Sequence, residues 1–420
     1  MARFSSLADW LQWQEQCHPR PIDLGLDRVE GVYRRLSGQH QPLTVTVAGT
    51  NGKGSCVAFL EAIYRTQGYR VGAYTSPHIV TYNERIRIDG IPVSDQAICQ
   101  AFERIDGVRG DTSLSYFEFG TLAALDIFAR ADVDIQLLEV GLGGRLDAVN
   151  IIDPDVALVT TIALDHVDWL GDSIEQIARE KAGIFRANVP AIIGDSKAPS
   201  TLTGTANEKG ARVFQLGHQF GYRKEEDRWQ WWSNGDSIDN LPEPVFKGEH
   251  QYRNASAVIM AVKSLQDRLP VEEPSIVRGL RDAKLKGRFQ LIEAGVPVLL
   301  DVGHNPQAVE TLLAYLHSDF PDVKIHAVFA MMKDKDIAGV IDLMRQRVAD
   351  WYLAPLSTPR AANPSVLSEI FQQQDIKCVH SGFDDFKAAF DAAYCNALPG
   401  EMILIFGSFF LVSEYLSQFA

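Results

Sequence analysis

Seven residues, Gly49-Thr50-Asn51-Gly52-Lys53-Gly54-Ser55, carry the clearest chemistry in the chain. Glycines let backbone N–H groups turn inward where a Cβ would clash, and a helix start offers unpaired donors to an anion. Lys53 can neutralise a β- or γ-phosphate, and the Ser55 hydroxyl can meet Mg²⁺. The segment departs from G-x-x-x-x-G-K-[ST], because Val47 stands at the first glycine and Gly54 separates Lys53 from Ser55. A lysine flanked by glycines after an apolar run still points to nucleotide binding, with Gly52, Lys53, Gly54 and Ser55 as the cradle.

Polar residues recur where the following apolar runs end. Ser76 follows the second run, Glu139 closes the third and His166 follows the fourth. A hydroxyl, a carboxylate and an imidazole beside a triphosphate suit Mg²⁺, which takes few protein ligands and keeps its waters. Taken alone, His166 reads as a hydrogen-bonded loop residue. Gly141–Asp147 is not G-x-G-x-x-G; it reads as a tight turn aiming Arg145 and Asp147 at a ligand. Lys181, by helical spacing alone, reads as a solvated surface lysine. Farther along, Asp301 and His304 follow another apolar run, with Asn305 as a helix cap and Pro306 at the first helical position.

These residues need a parallel sheet to position them, since ligands bind beyond the carboxyl ends of its strands. The pattern predicts strands over 43–48, 69–75, 134–140, 155–161, 191–194 and 212–215, alternating with helices. Between 219 and 247 the texture changes to an aromatic stretch with Trp229, Trp231 and Trp232 before Asn234-Gly235, which predicts antiparallel hairpins with the tryptophans in their core. Alternation restarts beyond 287, with strands predicted over 296–300, 324–329, 351–354, 376–380 and 402–406. The expected architecture is α/β: a P-loop-type parallel sheet domain with a small antiparallel β insertion over 1–286, then a second Rossmann-like α/β domain over 287–420.

The 420 residues suffice for two domains with adequate cores. A formal net charge of −14 argues against nonspecific nucleic-acid binding. No apolar run reaches the roughly 18 residues of a membrane span. Five scattered cysteines without a C-x-x-C pair, and no signal-peptide pattern at the start, lead us to expect a cytoplasmic protein without structural zinc.

Gly49–Ser55, Ser76-Pro77-His78, Leu138–Asp147, Leu164-Asp165-His166, Glu180-Lys181-Ala182-Gly183 and Asp301 with His304-Asn305-Pro306 occur in an order that resembles the bifunctional dihydrofolate synthase/folylpolyglutamate synthase family. That family lies within the Mur-ligase-like superfamily of ATP-dependent amide ligases. The resemblance implies that ATP phosphorylates the carboxylate of 7,8-dihydropteroate, or the γ-carboxylate of a folyl-glutamate among reduced folates, and that the amine of L-glutamate attacks the acyl phosphate. It implies that Ser55, Ser76, Glu139, His166 and a carbamylated Lys181 hold Mg²⁺, reversing the surface reading of Lys181. Asn254, Arg288 and Asp301 resemble ATP contacts beside Gly52–Ser55, and His304 belongs with them; Lys53, Glu139, His166, Lys181, Asp301 and His304 are the expected catalytic set.

The early segment with Asp23 and Arg28 resembles a lid over a dihydropteroate pocket made by Ser115, Tyr116, Phe117, Glu118, Arg145, Leu146, Asp147 and Ala148. There Phe117 would stack on the pterin, although its place at a helix start would otherwise suggest core. Ser115 replaces an expected Thr and Gly303 an expected Ala. The alternatives are a monofunctional folylpolyglutamate synthase, a cell-wall precursor ligase, disfavoured because no UDP-binding domain is seen before residue 43, and an ATP-hydrolysing switch. A monomer acting on small molecules, without membrane or nucleic-acid partners, is expected.

Overall fold

The computed structural model describes residues 3–20, 22–36, 41–226 and 228–419. It divides into two compact units. The first comprises the chain up to Ala163, Leu170–Val245 and Tyr252–Lys284; the second comprises Leu164–Trp169, Phe246–Gln251 and the chain from Leu285 onward. Two short segments thus group with the second unit although they lie far upstream of it in sequence.

The first unit is built on β1 (Leu43–Ala48), β2 (Val71–Tyr74), β3 (Ile86–Ile88), β4 (Ile91–Pro92), β5 (Ile135–Glu139), β6 (Val156–Val159), β7 (Pro190–Ile193) and β8 (Arg212–Gln215). Their spatial order is β4-β3-β2-β5-β1-β6-β7-β8. From β2 to β8 all pairings are parallel, while β3 and β4 add an antiparallel edge. β5 and β6 are buried along their whole length, as strands with both faces covered should be. The edge hairpin was not anticipated from sequence, because two- and three-residue strands carry too little periodicity. Its turn is nonetheless the favoured Asp89-Gly90 pair, both residues at positive φ.

The helix Lys53–Gln67 follows β1 directly and stops at Gly68, whose φ of 101° closes the last turn onto the Arg65 and Tyr64 carbonyls. The helix Tyr116–Arg130 starts in a capping box between Ser115 and Glu118. Apolar side chains of the helix Tyr116–Arg130 form one continuous core with the helices Leu7–Cys17 and Asp95–Arg109.

The antiparallel insertion is a three-stranded meander of β9 (Phe220–Lys224), β10 (Arg228–Ser233) and β11 (Asp236–Pro242). Trp229 and Trp231 are fully buried, with indole N–H groups donating to the Pro242 and Ser256 carbonyls, as the hairpin-core reading requires, whereas Trp232 on the other face of β10 is only partly buried. The second unit carries β12 (Gln290–Ile292), β13 (Val298–Asp301), β14 (Ile325–Phe329), β15 (Val348–Leu353), β16 (Val379–His380) and β17 (Met402–Phe406). Their order is β12-β13-β17-β14-β15-β16, parallel except for β12. Among the described residues no helix is long and apolar enough to cross a membrane.

Candidate functional site

The loop after β1 is pinned by the end of β6. Thr50 N–H donates to the Thr161 carbonyl at 2.7 Å, and Thr160 Oγ donates to the Asn51 carbonyl at 2.6 Å. Gly49 has φ +142°, and a Cβ there would lie 1.8 Å from Thr160 Oγ1, so only glycine lets the two strand ends come this close. A Cβ on Gly52 would lie 2.8 Å from Asn254 Oδ1, which puts that carboxamide against the loop. The helix after Gly52 has no side-chain cap and no acidic residue in its first turn, so its N-terminal donors and dipole favour an anion. Ser55 is buried in that first turn.

Two lysines converge on one carbonyl. Lys53 Nζ donates to Gly49 O at 3.0 Å and to Thr50 O at 3.1 Å, and Lys181 Nζ donates to the same Gly49 O at 3.0 Å. Lys181 is only 5% exposed, which overturns the surface reading taken from spacing alone. Its helix, Ile174–Lys181, is drawn inward by the adjoining turn: a Cβ on Gly183 would sit 2.3 Å from Arg145 Cα. Arg145 N–H donates to the Glu180 carbonyl at 2.8 Å and its guanidinium grips Glu180 Oε1, so the 141–147 turn and Lys181 are placed together.

Glu139 ends β5, is buried, and accepts the Ser76 N–H at 3.2 Å. Ser76 and Glu139 are therefore adjacent, as the strand-end argument requires. Among the described residues no three His, Cys, Asp or Glu side chains gather closely enough to hold a metal alone. The expected set contains only two of those types, Glu139 and His166. A buried carboxylate with serine hydroxyls near phosphate-binding backbone is an oxygen donor set that fits Mg²⁺.

The residues expected to form the dihydropteroate pocket also gather. Phe117 is partly buried, its ring 5.9 Å from that of Tyr74, and a Cβ on Gly141 would meet Phe117 Cζ at 2.6 Å. Tyr116 lies against Tyr82 and under the Arg85 guanidinium. Asp147 is buried, accepts the Leu142 and Val149 N–H groups, and caps the short helical turn Ala148–Ile151; Leu146 beside it is half-buried. Burial pushes the Asp147 carboxyl up to about 6, against the pull of three backbone N–H groups and Lys53. Glu118 Oε2 takes the Ser115 N–H at 2.7 Å while Oε1 takes Arg28 at 3.1 Å, and Arg28 also pairs with Asp23 at 3.0 Å. Ser115 accepts the Glu118 N–H through its hydroxyl, a task Thr would share, so that departure leaves the cap intact.

The second unit has its own cluster. Asp301 ends β13, buried, with Oδ1 accepting the Gly303 N–H at 2.7 Å and Oδ2 the Phe289 N–H at 3.3 Å. Burial pushes its carboxyl up to about 6, while Arg288 and those N–H groups pull the other way. Arg288 lies over the Phe409 ring at 5.0 Å. An alanine at 303 would put its Cβ 2.6 Å from Asp301 Oδ1, so glycine here admits the carboxylate at this close distance. His304 Nδ1 lies 2.9 Å from the Val302 carbonyl, which can only accept; Nδ1 therefore carries the proton and leaves Nε2 as acceptor. Desolvation, then Lys335, lowers His304 to about 4, so it is neutral at pH 7.

His166, at φ +52°, lies in the same unit, its Nε2 3.4 Å from Lys335 Nζ. Lys335 is paired with Asp165 at 2.6 Å, and Asn305 Nδ2 approaches the other oxygen at 3.3 Å. Burial alone would raise the Asp165 carboxyl, but His166, Lys335 and His304 together hold it well below the usual carboxylate range. Sequence reasoning missed Lys335. Its signal was the charged run Lys333-Asp334-Lys335-Asp336 just past the carboxyl end of β14.

Comparison with known proteins adds to this geometry. Residues 47–262 match the family model of the Mur ligase middle domain, and 287–409 match that of the Mur ligase glutamate ligase domain. The chain is 43% identical to the dihydrofolate synthase/folylpolyglutamate synthase of Escherichia coli (strain K12), over 98% of this chain and 95% of that one. Among solved structures, E. coli FolC in complex with DHPP and ADP superposes with a TM-score of 0.93 at 42% identity, covering 98% of this chain and 97% of the other. A bifunctional folylpolyglutamate synthase/dihydrofolate synthase with Mn, AMPPNP and L-glutamate bound gives 0.90 at 40% identity, covering 98% of each chain.

Proposed function

The chain belongs to the dihydrofolate synthase/folylpolyglutamate synthase family of Mur ligases, and on that footing we propose that it joins L-glutamate to 7,8-dihydropteroate and to folyl-glutamates at the expense of ATP. The observation that carries this reading is Lys53, held on a carbonyl of a glycine loop beside a helix start, with Lys181 buried against the same carbonyl. Such a site has charge and donors for a triphosphate before any substrate arrives.

A carboxylate is a poor electrophile, so its oxygen attacks the γ-phosphorus of ATP and ADP leaves. The glutamate amine, freed of its proton, adds to the acyl carbon, and the tetrahedral adduct expels phosphate. Alignment and charge neutralisation are the protein's main tasks in such a transfer. The Gly52–Ser55 amides would meet the phosphates, and Lys53 would exchange loop carbonyls for a phosphate oxygen. Asn254 would contact the nucleotide from the loop side, and Arg288 with Asp301 would supply the second unit's nucleotide contacts. His304, neutral with a free acceptor lone pair on Nε2, suits a substrate N–H.

Ser55, Ser76, Glu139, carbamylated Lys181 and His166 would hold Mg²⁺, which when bound would neutralise the phosphate oxygens. Phe117 would stack on the pterin, with Asp147 and its neighbours Arg145, Leu146 and Ala148 along one edge. Tyr116, Ser115 and Glu118 would frame the same pocket, closed by the segment bearing Asp23 and Arg28. Five unpaired cysteines favour a cytoplasmic location, and we take the active species to be a monomer.

Phosphate release from ATP, with dihydropteroate and L-glutamate added singly and together, tests the reading. Release that needs both, with dihydrofolate appearing, is expected. Release with a reduced folate and glutamate only would make the protein a monofunctional folylpolyglutamate synthase. Stimulation by neither pair would refute the assignment.

A further inference from the structure

His18 lies just beyond the helix Leu7–Cys17, held between two elements of the proposed acceptor pocket. Its side chain is 7% exposed. Nε2 stands 2.9 Å from Asp23 Oδ2, and Nδ1 stands 2.9 Å from Ser113 Oγ. An ionised carboxylate only accepts, so Nε2 carries a proton towards Asp23. Nδ1 exchanges a hydrogen bond with the Ser113 hydroxyl.

The chain of contacts continues beyond Asp23. Arg28 donates to Asp23 through both its side-chain and backbone oxygens at 3.0 Å, and to Glu118 Oε1 at 3.1 Å. Glu118 is buried, and its other oxygen takes the Ser115 N–H. Arg28 Nε is itself buried and meets no acceptor among the described residues, so the guanidinium still has a donor to give. His18 thus grips both ends of the arrangement. Ser113 leads into the Ser115 cap, and Asp23 fixes the guanidinium that reaches Glu118 on the same helix. Without the imidazole, Asp23 keeps Arg28 but loses the anchor that sets where the pair sits.

We propose that His18 is a positioning residue for the pteroate acceptor, acting through Asp23 and Arg28 on the pocket at Ser115–Glu118. This rests on the function proposed above, and assigns to His18 the registration of the 22–28 segment over that pocket. Charge-assisted hydrogen bonds in a partly buried setting are the stronger kind, so the effect should fall on acceptor affinity rather than on chemistry.

The test measures kcat and KM for dihydropteroate at saturating ATP and L-glutamate, together with the KM for ATP. His18→Ala should raise the dihydropteroate KM about tenfold while kcat and the ATP KM stay within about twofold. His18→Gln, which keeps an N–H towards Asp23, should recover most of the loss. Asp23→Asn should reproduce the KM rise, and combining it with His18→Ala should add little, because both cut one path. An unchanged dihydropteroate KM, an equal rise in the ATP KM, or no recovery with Gln overturns the proposal. Should His18→Ala fail to fold in a thermal melt, Asp23→Asn decides by the same criterion, its side chain being partly exposed. A wild-type protein that turns over dihydropteroate separates failure of this proposal from failure of the functional reading; no wild-type turnover overturns both.

Discussion

In the first unit the Gly49–Ser55 loop is fixed by backbone approach. Gly49 abuts Thr160, Gly183 abuts Arg145, and the two lysines point at a main-chain carbonyl. In the second unit the residues at the strand ends are fixed by charge: Asp165 is gripped by Lys335 and approached by His304 and Asn305, and Asp301 faces Arg288. The first arrangement should therefore be most sensitive to added volume at Gly49 and Gly183, and the second to loss of the Asp165 charge. The contrast suits the proposed chemistry, since a phosphate cradle needs its amides in a set place, whereas a site for a small zwitterion needs balanced charge.

The sharpest way to break the contrast is Gly49→Ala. A methyl group there would overlap Thr160 Oγ1 at a φ that L-residues avoid, so the loop must leave its present course. Displacement by an ångström at such a site costs about a hundredfold or more, and nucleotide titration should show no saturable binding. Retention of near-normal ATP affinity would mean that side-chain charge, not backbone approach, makes the first site.

Lys181→Ala removes charge from the same unit without adding volume. We expect kcat to fall about a hundredfold, the scale for losing one electrostatic contact at a reacting centre. Short carboxylic acids such as acetate should restore part of the rate if a carbamate on Lys181 serves as an anionic ligand. Loss without rescue would leave Lys181 as a cation on Gly49 O, and full activity would remove it from the site.

In the second unit, Asp165→Asn should act on stability. It would strip the buried Lys335 ammonium of its partner at 2.6 Å, leaving Asp334 at 3.9 Å as a poor substitute. Breaking a buried pair on one side costs about 3 kcal/mol, readable as a lowered midpoint in urea. A midpoint within error of the wild type would show that the second unit is not held by this charge.

The same division explains what could be read in advance. β1, β8 and β17 have the bounds their apolar runs predict, and Gly49–Ser55 is legible because strand, turn and helix start are contiguous. Asp301, His304 and Asn305 are legible for the same reason, lying directly after a strand. Lys181 was not, because its burial depends on a turn some 35 residues upstream approaching Gly183, and helical spacing contains nothing of that. The Lys335–Asp165 pair spans 170 residues, and long-range charge pairing leaves no local period. His18 went unnoticed because a single histidine after a helix gains meaning only once Ser113 and Asp23 flank it.

A pH series sharpens the comparison at smaller scale. Asp147, in the first unit, is raised from 3.8 to about 6 by burial, so the native state holds its proton more tightly than the unfolded chain. Its contribution to stability is fully present below pH 4 and is lost as pH rises through 6, at most about 3 kcal/mol. In the second unit Asp301 has the same sign over the same window. His304 has the opposite sign: lowered to about 4, it makes the unfolded state bind more protons between pH 4 and 6.5, so stability rises with pH there. The two second-unit effects offset one another, and in the first unit His78, lowered to about 4 by burial and then by Arg85, offsets Asp147 in the same way. Asp147→Asn should therefore gain stability relative to wild type as pH goes from 4 to 7, whatever its offset at pH 4. Asp301→Asn should likewise gain stability relative to wild type as pH goes from 4 to 7. Parallel wild-type and Asp147→Asn curves would show that the Asp147 carboxyl is not held up by burial, and that backbone N–H groups dominate the first site as completely as charge dominates the second.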